Sequence, residues 1–372
     1  MNLAAEIDAG DGLPVLFEPD DTLDMFKDMV GRALGDLGQA DWSAISAVLK
    51  ELGLFEALLP ASRGGYGGAR LASLVCDRLG EAGLATPFTV SWAAIGRFLN
   101  TIEGSGPRLD EIAAGLNEGS ALATLAMHET DALPASRDFE TRLRHVGERW
   151  EIDICKRMIP FAAQADWLFV PATTESGAAA LVVLGRDAFS DALRPYDLID
   201  GTPAADLDIT GLALSDENIL LFGKEADAAL REMRNMLCAA LCAEAVGAMR
   251  AMVTATRDYL GMRRQFGQVL SDFQALRHRF IDMEIVLTKA ETMAALASAA
   301  VDNGAGGADE ALVDKCRYIV IRSAWAVSQE AMQMHGAIGM ASETPLGAYF
   351  KRLLALSLWF GDEDEALLAQ TR

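Results

Sequence analysis

The stretch "RRQFGQVLSDFQALRH" at residues 263–278 decides how the C-terminal half of the chain is built. It follows a long run of helical periodicity, turns at Gly267 and re-enters a helix near Ser271. Basic groups at such a helix–turn–helix junction suit a phosphate or pyrophosphate, and they equally suit a salt-bridge cluster between helices. The basic residues are Arg263, Arg264, Arg277, His278 and Arg279.

A second stretch, "QMHGAIGMASETPLGAYFKR" at residues 333–352, interrupts a later helix. Gly336 and Gly339 end the helix just after Gln333, and glycine lets the backbone approach a ligand closely. Ser342 then caps the following segment, with Pro345 shortly inside it. Taken alone, this pattern predicts only a helix end.

Three zones of different period organise the chain. Residues 20–118 show helical spacing of apolar residues, and 119–223 consist of short β-like runs separated by Gly, Pro, Asp and Ser. From 224 onward the helical period returns. We predict helices at 226–262, 271–303 and 308–335 and a further one after 343. The order is helices, then a compact antiparallel sheet or small barrel, then a helical bundle.

The composition of the chain indicates which partners, location and metal sites to expect. The formal net charge of −22 disfavours nucleic acid and membrane surfaces, because both would repel an acidic protein. The first residues carry acids where a signal peptide is basic, so we expect a cytoplasmic protein. The five cysteines form no paired CxxC framework. Cys238 and Cys242 lie on one helix face without a second ligand pair, so we expect core residues and no metal site.

The stretches at 263–278 and 333–352 are more specific in combination than either is alone. Three patterns occur at 263–267, 273–274 and 333–345: R-x-x-F-G, F-Q, and a run that contains Gln333, Gly336 and Gly339 and ends in [ST]-E-x-P. In this order and spacing they resemble the acyl-CoA dehydrogenase family. The resemblance extends over nearly the whole chain, including "ELGLFEALLPASRGGYGG" in the first zone and "WEIDICK" in the second.

The resemblance implies a mainly α fold with a central β-barrel. Its parts would be an N-terminal α-helical domain at 1–118, a β-barrel domain at 119–223 and a C-terminal four-helix bundle at 224–372, through which subunits tetramerise. It also implies FAD, an acyl-CoA thioester that loses an α proton and a β hydride, and a flavoprotein electron acceptor. In such proteins the arginine and glutamine patterns hold the ADP half of FAD and reach the flavin of a neighbouring subunit. The cofactor candidates are therefore Arg263, Phe266, Gln274, Gln333, Gly336 and Gly339.

The catalytic base expected from the family is missing. Desaturation needs a carboxylate against the α carbon. In many members a glutamate downstream of the glycine motif serves, and ungapped counting from Gly339 places Phe360 there. Other members carry the base on the first long helix of the bundle, at the position that Leu237 occupies here. The acids at 362–365 fit the first turn of a last helix better than catalysis.

Glu244 is the remaining candidate for a base. It lies seven residues after Leu237, two turns along the same helix face, among Ala, Cys and Val. Burial would raise its pKa towards that of a useful base. The alternative is a structural glutamate paired with an arginine across the bundle.

The side of the site that would face the flavin also departs from the family. The segment "HETDALPAS" keeps Glu129 but lacks the expected threonine and glycine, and Pro160 stands where a hydroxyl residue is expected. Proline has no N–H to offer a flavin ring. We therefore predict one subunit of a heteromeric acyl-CoA dehydrogenase, by analogy one that acts on steroid- or bile-acid-type thioesters. The alternatives are a homotetramer that uses Glu244 and a non-catalytic partner subunit.

Overall fold

The computed structural model describes residues 20–35, 37, 40–102, 106–129, 139–303, 309–340 and 344–359. Helices precede the first strand and follow the last one, as the change of period predicts. The exact domain limits at 118 and 223 stay a prediction. The acids at 362–365 and Phe360 lie outside the described residues.

The N-terminal zone is a stack of short helices around one apolar core. It contains α1 (Asp21–Gly35), α2 (Trp42–Glu51), α3 (Leu54–Ala57), α4 (Ala69–Glu81), α5 (Arg97–Thr101) and α6 (Pro107–Asn117). A π-helical segment, Thr89–Gly96, precedes α5 and is buried along its whole length. Trp92 in this segment stacks on Phe55 at 5.1 Å between ring centroids and on Phe88 at 6.1 Å. The segment thus sits inside the molecule, with no face left for solvent.

Eight strands form one mixed, mainly antiparallel sheet. They are β1 (Ala123–Leu125), β2 (Arg142–Val146), β3 (Arg149–Pro160), β4 (Trp167–Thr174), β5 (Ala179–Gly185), β6 (Leu193–Asp197), β7 (Pro203–Leu214) and β8 (Ile219–Phe222). The hydrogen-bonded order is β6-β7-β3-β2-β4-β5-β8, and β1 pairs with β4 in parallel. Among the described residues this path ends at β6 and at β8 without closing. The sheet domain is therefore present, whereas the predicted closed barrel is not confirmed.

Four helices form the C-terminal bundle: α7 (Gly223–Met262), α8 (Gln274–Asn303), α9 (Glu310–His335) and α10 (Leu346–Leu358). Between α7 and α8 lies a small hairpin of β9 (Arg264–Gln265) and β10 (Gln268–Val269). By length and composition α7 could cross a membrane, but 89% of its most apolar window is buried inside the protein. It is the central core helix of the fold, and the cytoplasmic location stays a prediction.

The N-terminal helices and the bundle are joined by a very close contact between α4 and α7. A Cβ added at Gly80 would clash with the backbone carbonyl oxygen of Glu244, and one added at Gly247 would clash with that of Asp77. Only glycine permits the two backbones to touch in this way. The contact holds α7 in one position relative to the helices that precede the sheet.

Candidate functional site

The predicted cofactor residues begin at a tight hairpin that follows α7. Gln265 pairs with Gln268, and the two residues between them, Phe266 and Gly267, have φ angles of 51° and 85°. Positive φ at both central residues is the signature of a type I′ turn. The Leu270 N–H donates to the Arg263 carbonyl at 2.8 Å and closes the loop at its base. The hairpin therefore has a defined shape, although Arg263 and Phe266 are exposed to solvent.

The glycines of the second stretch have different environments. Gly336 ends α9 with φ 61°, and a Cβ built there meets nothing within 4 Å. Gly339 lies in the following 3₁₀ turn, where a Cβ would lie 3.0 Å from the His335 Cβ. Gly336 thus leaves open space beside an exposed backbone, whereas a Cβ at Gly339 would pack tightly against α9. Gln333, one turn before the helix end, is exposed.

Contacts between α7 and α9 bring the two stretches to one end of the bundle. The rings of Tyr259 and His335 stack with centroids 4.3 Å apart, and the Tyr259 hydroxyl lies 3.5 Å from the His335 carbonyl oxygen. The hairpin reaches the start of α8 through an edge contact between Phe266 and Phe273 at 6.3 Å. We call the exposed group at this end the cofactor surface; it comprises Arg263, Phe266, Gln274, Gln333 and Gly336.

The donors of the cofactor surface fit the ADP half of FAD. An exposed arginine fork can chelate a pyrophosphate, and the open backbone at Gly336 allows close approach. Phe266 is 92% exposed, which is unusual for a large aromatic side chain. This end of the bundle therefore combines exposed polar groups with one exposed aromatic side chain, Phe266.

The side of the chain expected to face the flavin fits that ring poorly. Pro160 is buried at the end of β3, and its carbonyl accepts a hydrogen bond from the Thr124 hydroxyl at 2.6 Å. The N–H of Met158 donates to the Asp206 carboxylate at 3.0 Å. Along this part of the strand, the positions at 158 and 160 thus have no backbone donor left for a flavin.

Behind this strand Glu129 forms a buried ion pair with Lys156. The Lys156 ammonium lies 2.5 Å from the carboxylate, the Thr141 hydroxyl donates to the same oxygen at 2.7 Å, and both charged side chains are fully buried. Burial lowers the pKa of Lys156 to about 8, and Glu129 opposes that shift. Burial raises the pKa of Glu129, but the charge and hydrogen bond of Lys156, together with the hydrogen bonds from Thr141 and the Glu140 N–H, lower it by more. The pair anchors the segment that carries Glu129. Glu129 was named from the sequence, whereas Lys156 was not identified as its partner.

His128 occupies the neighbouring buried position. Burial lowers the pKa of this imidazole to about 4, and the charges of Lys156 and Arg317 act in the same direction. A backbone hydrogen bond with Trp359 links it to the end of α10. His128 is thus neutral at physiological pH and connects the sheet to Trp359, which follows α10.

Of the two family positions for a base, only Leu237 lies among the described residues, and it is a core residue that is 1% exposed. Glu244, two turns along α7, is also 1% exposed. The Arg352 guanidinium donates to one of its oxygens from Nε at 2.8 Å and also from Nη2, and the Thr89 hydroxyl donates to the other at 2.9 Å. The structure therefore provides the arginine that the structural alternative required, and a role as base stays a prediction.

Arg352 is the centre of this buried network. Its Nη1 donates to the Asp200 carboxylate at 2.6 Å and lies 2.8 Å from the Thr202 hydroxyl, both on the β6–β7 connection. Burial alone would lower the pKa of Arg352, but Glu244 and Asp200 together raise it. The network joins α7, α10, the sheet and the π-helical segment. It fills the face of α7 on which the sequence placed a candidate base.

Comparison with known proteins gives a consistent result. The model of the acyl-CoA dehydrogenase C-terminal domain matches residues 228–369. Glutaryl-CoA dehydrogenase of Desulfococcus multivorans is 26% identical over 319 residues, which are 81% of this chain and 80% of that protein. Among the described residues, no group of three or more His, Cys, Asp or Glu could hold a metal ion.

Solved structures share the fold over almost the entire chain. A variant of the Tcur3481-Tcur3483 steroid ACAD has a TM-score of 0.83 at 20% identity, covering 94% of this chain and 97% of that one. The ChsE4-ChsE5 complex from Mycobacterium tuberculosis has a TM-score of 0.83 at 18% identity, with 95% and 97% covered. Glutaryl-CoA dehydrogenase from Mycobacterium smegmatis, solved with FADH2, has a TM-score of 0.81 at 19% identity, with 95% and 94% covered. Residues 228–369 thus match the C-terminal domain of the acyl-CoA dehydrogenase family, whose members use FAD, and the chain is similar to members of that family over about four fifths of its length.

Proposed function

We propose that this chain is one subunit of a heteromeric acyl-CoA dehydrogenase and completes an FAD site on a homologous partner chain. The observation that carries the proposal is a contrast within one molecule. The cofactor surface is exposed and carries donors that suit the ADP half of FAD, whereas the face of α7 around Glu244 is filled by Arg352. In this proposal the flavin face and the catalytic base lie on the partner.

Exposed apolar side chains beside the cofactor surface support a protein partner there. Met262 is 75% exposed, Phe266 92%, and Ile281 and Ile285 on α8 are more than half exposed. Large aliphatic and aromatic side chains grouped on one side of a molecule mark interaction sites. A subunit seated on α8 and the hairpin would cover them and come within reach of Arg263.

The chemistry divides between the two chains accordingly. FAD, when bound, would supply the acceptor for the β hydride of the acyl-CoA thioester. Arg263 and Gln274 of this chain would bind the diphosphate and fix the cofactor's position, while Gly336 keeps the approach open. The partner's carboxylate would remove the α proton. The structural neighbour Tcur3481-Tcur3483 is a steroid ACAD, which supports a bulky acyl group as substrate; a flavoprotein acceptor is part of the same proposal.

The test is the visible flavin absorption of the chain purified alone and after co-expression with a homologous chain. We expect a colourless lone protein and a yellow complex with one flavin per pair of chains. Arg263→Ala should weaken flavin retention by the complex about tenfold, the loss expected for a charge-assisted hydrogen bond. Arg257→Ala is the matched control, because Arg257 is an exposed arginine on α7, six residues before Arg263, and its charge pairs only with Asp258 among the described residues.

Other results point to the other functions. Bound flavin in the lone chain would overturn the shared site and support the self-sufficient homotetramer with Glu244 as base. An Arg263→Ala complex that keeps full activity and undiminished FAD would support a subunit that only stabilises its partner. The buried ion pair at Glu244 is compatible with this last function as well, so the Arg263 result separates it from ours.

A further inference from the structure

A cleft of about 540 Å³ opens between α1, α4, α7 and α8, away from the site described above. Its lining includes neither Glu244 nor any residue of the cofactor surface. Sites for small ligands measure roughly 300–1,000 Å³, so the cleft has the size of a binding site. Neither the fold nor the proposed function assigns it a role.

The floor of the cleft is apolar. It is lined by Leu74, Val246 and several alanines of α7 and α8. Two serines also line it, but Ser298 donates to Ser73 at 2.8 Å, so these hydroxyls satisfy each other. A hydrocarbon body could lie on this floor without leaving a polar group unpaired.

The carboxylates that line the cleft are already bound to donors. Arg250 holds Asp77 at 2.9 Å and Glu291 at 2.8 Å. Asp302 accepts from two backbone N–H groups at the start of α4 and pairs with Arg97 at 3.3 Å. These carboxylates would therefore repel an anionic ligand less than unpaired carboxylates would.

Two cations at the rim have no such partner among the residues that the structure describes. No described residue forms an ion pair or side-chain hydrogen bond with Lys27 or with the guanidinium of Arg70, and both line the cleft. A hydrogen bond from Tyr66 is the larger cause of the lowered pKa of Asp20, and the charge of Arg70 contributes to it from a distance, without a salt bridge. Burial raises the pKa of Tyr66, and the charge of Arg70 opposes that rise in the same way. In a chain with a net charge of −22, two unpaired cations beside an apolar floor form a local anion-binding feature.

We propose that this cleft binds an amphipathic carboxylate, with its hydrocarbon body on the apolar floor and its carboxylate between Lys27 and Arg70. Arginine matches the two oxygens of a carboxylate with a planar fork, and lysine adds a flexible point charge. The proposal is independent of the shared FAD site, since none of its residues takes part in that site.

The test is isothermal titration of the full chain with dodecanoate below its micelle concentration. We expect one site, about tenfold weaker binding in Lys27→Glu, and loss of binding in Ala295→Trp, which fills the cleft from an exposed position. Lys315→Glu, a charge reversal at an exposed lysine of α9 outside the cleft, should bind as the unmodified chain does. Dodecanol should bind at least several-fold more weakly, and acetate should not bind detectably.

Three results would overturn the proposal. Absence of dodecanoate binding would show that the cleft is not a site for this class. Unchanged binding in both Lys27→Glu and Ala295→Trp would place the probe elsewhere in the protein. Equal affinity for dodecanol would show that the two cations do not recognise the head group.

Discussion

Removing Arg352 should destabilise the protein more than removing Glu244, because the two substitutions leave different charges behind. Arg352→Met leaves Glu244 and Asp200 buried without their shared cation. Breaking a buried ion pair from one side costs about 3–5 kcal/mol. Glu244→Gln keeps the volume and leaves Arg352 paired with Asp200, so we expect the smaller cost of one weakened charged hydrogen bond, about 1–3 kcal/mol.

The double substitution gives the sharpest expectation. Once Arg352 is absent, Glu244→Gln removes an unpaired buried charge, so it should stabilise the protein instead of destabilising it. Asp200 remains partly compensated in both backgrounds, because Thr202 donates to it from its backbone at 3.1 Å and from its hydroxyl at 2.8 Å. The coupling between the two positions should therefore exceed the cost of Glu244→Gln alone, which is about 1–3 kcal/mol.

The assay is urea unfolding followed by far-UV circular dichroism at one protein concentration, since association shifts apparent stability. The first transition of each of the four proteins is compared. Additive effects of the two substitutions would refute the network as the structure shows it. If Glu244→Gln abolished activity while the unfolding transition stayed unchanged, Glu244 would be a base and not a structural residue.

Two further predictions concern pH and packing. The pKa of His128 is about 4 in the fold and 6.5 when unperturbed, so the unfolded chain takes up a proton first as pH falls. The contribution of His128 to the free energy of unfolding should therefore be full above pH 6.5 and decline by about 3 kcal/mol down to pH 4. Urea titrations at several pH values should show a flatter profile for His128→Gln, whereas the exposed His145→Gln should retain the slope. Gly247→Ala should cost about 3 kcal/mol because its Cβ clashes with the backbone of α4, while Gly261→Ala on the same helix meets nothing and should gain about 0.5–1 kcal/mol. Thermal melts of the pair that shift in the same direction would contradict the close contact of the two helices.

Local periodicity was sufficient for the bundle. The predicted helix at 226–262 is observed at Gly223–Met262, and the one at 308–335 at Glu310–His335 among the described residues. These helices carry their apolar residues at the helical period, so a short window of sequence contains the signal. The turn at Gly267 was predicted for the same reason, since turn chemistry is local, but the two short strands that flank it were not.

The buried networks could not be predicted in this way. Arg352 lies 108 residues from Glu244, and Lys156 lies 27 residues from Glu129. Ion pairs between distant segments leave no periodic trace, and a single acid on an apolar helix shows only that some partner must exist. The closure of the sheet is a related case, because the order of strands depends on pairing across long separations and not on any one strand.

Our proposal of unlike subunits rests on where the mismatches with the family lie. In a homotetramer, the cofactor surface of each copy would meet a neighbour whose Pro160 carbonyl is bound to Thr124 and whose α7 face is filled by Arg352. Every site would then repeat the same defect. A partner that differs at these positions removes the mismatch with no change in this chain, and the exposed Phe266 is free to meet it. One flavin per pair of unlike chains is therefore the stoichiometry to expect, and two per pair would require this chain's filled face to open.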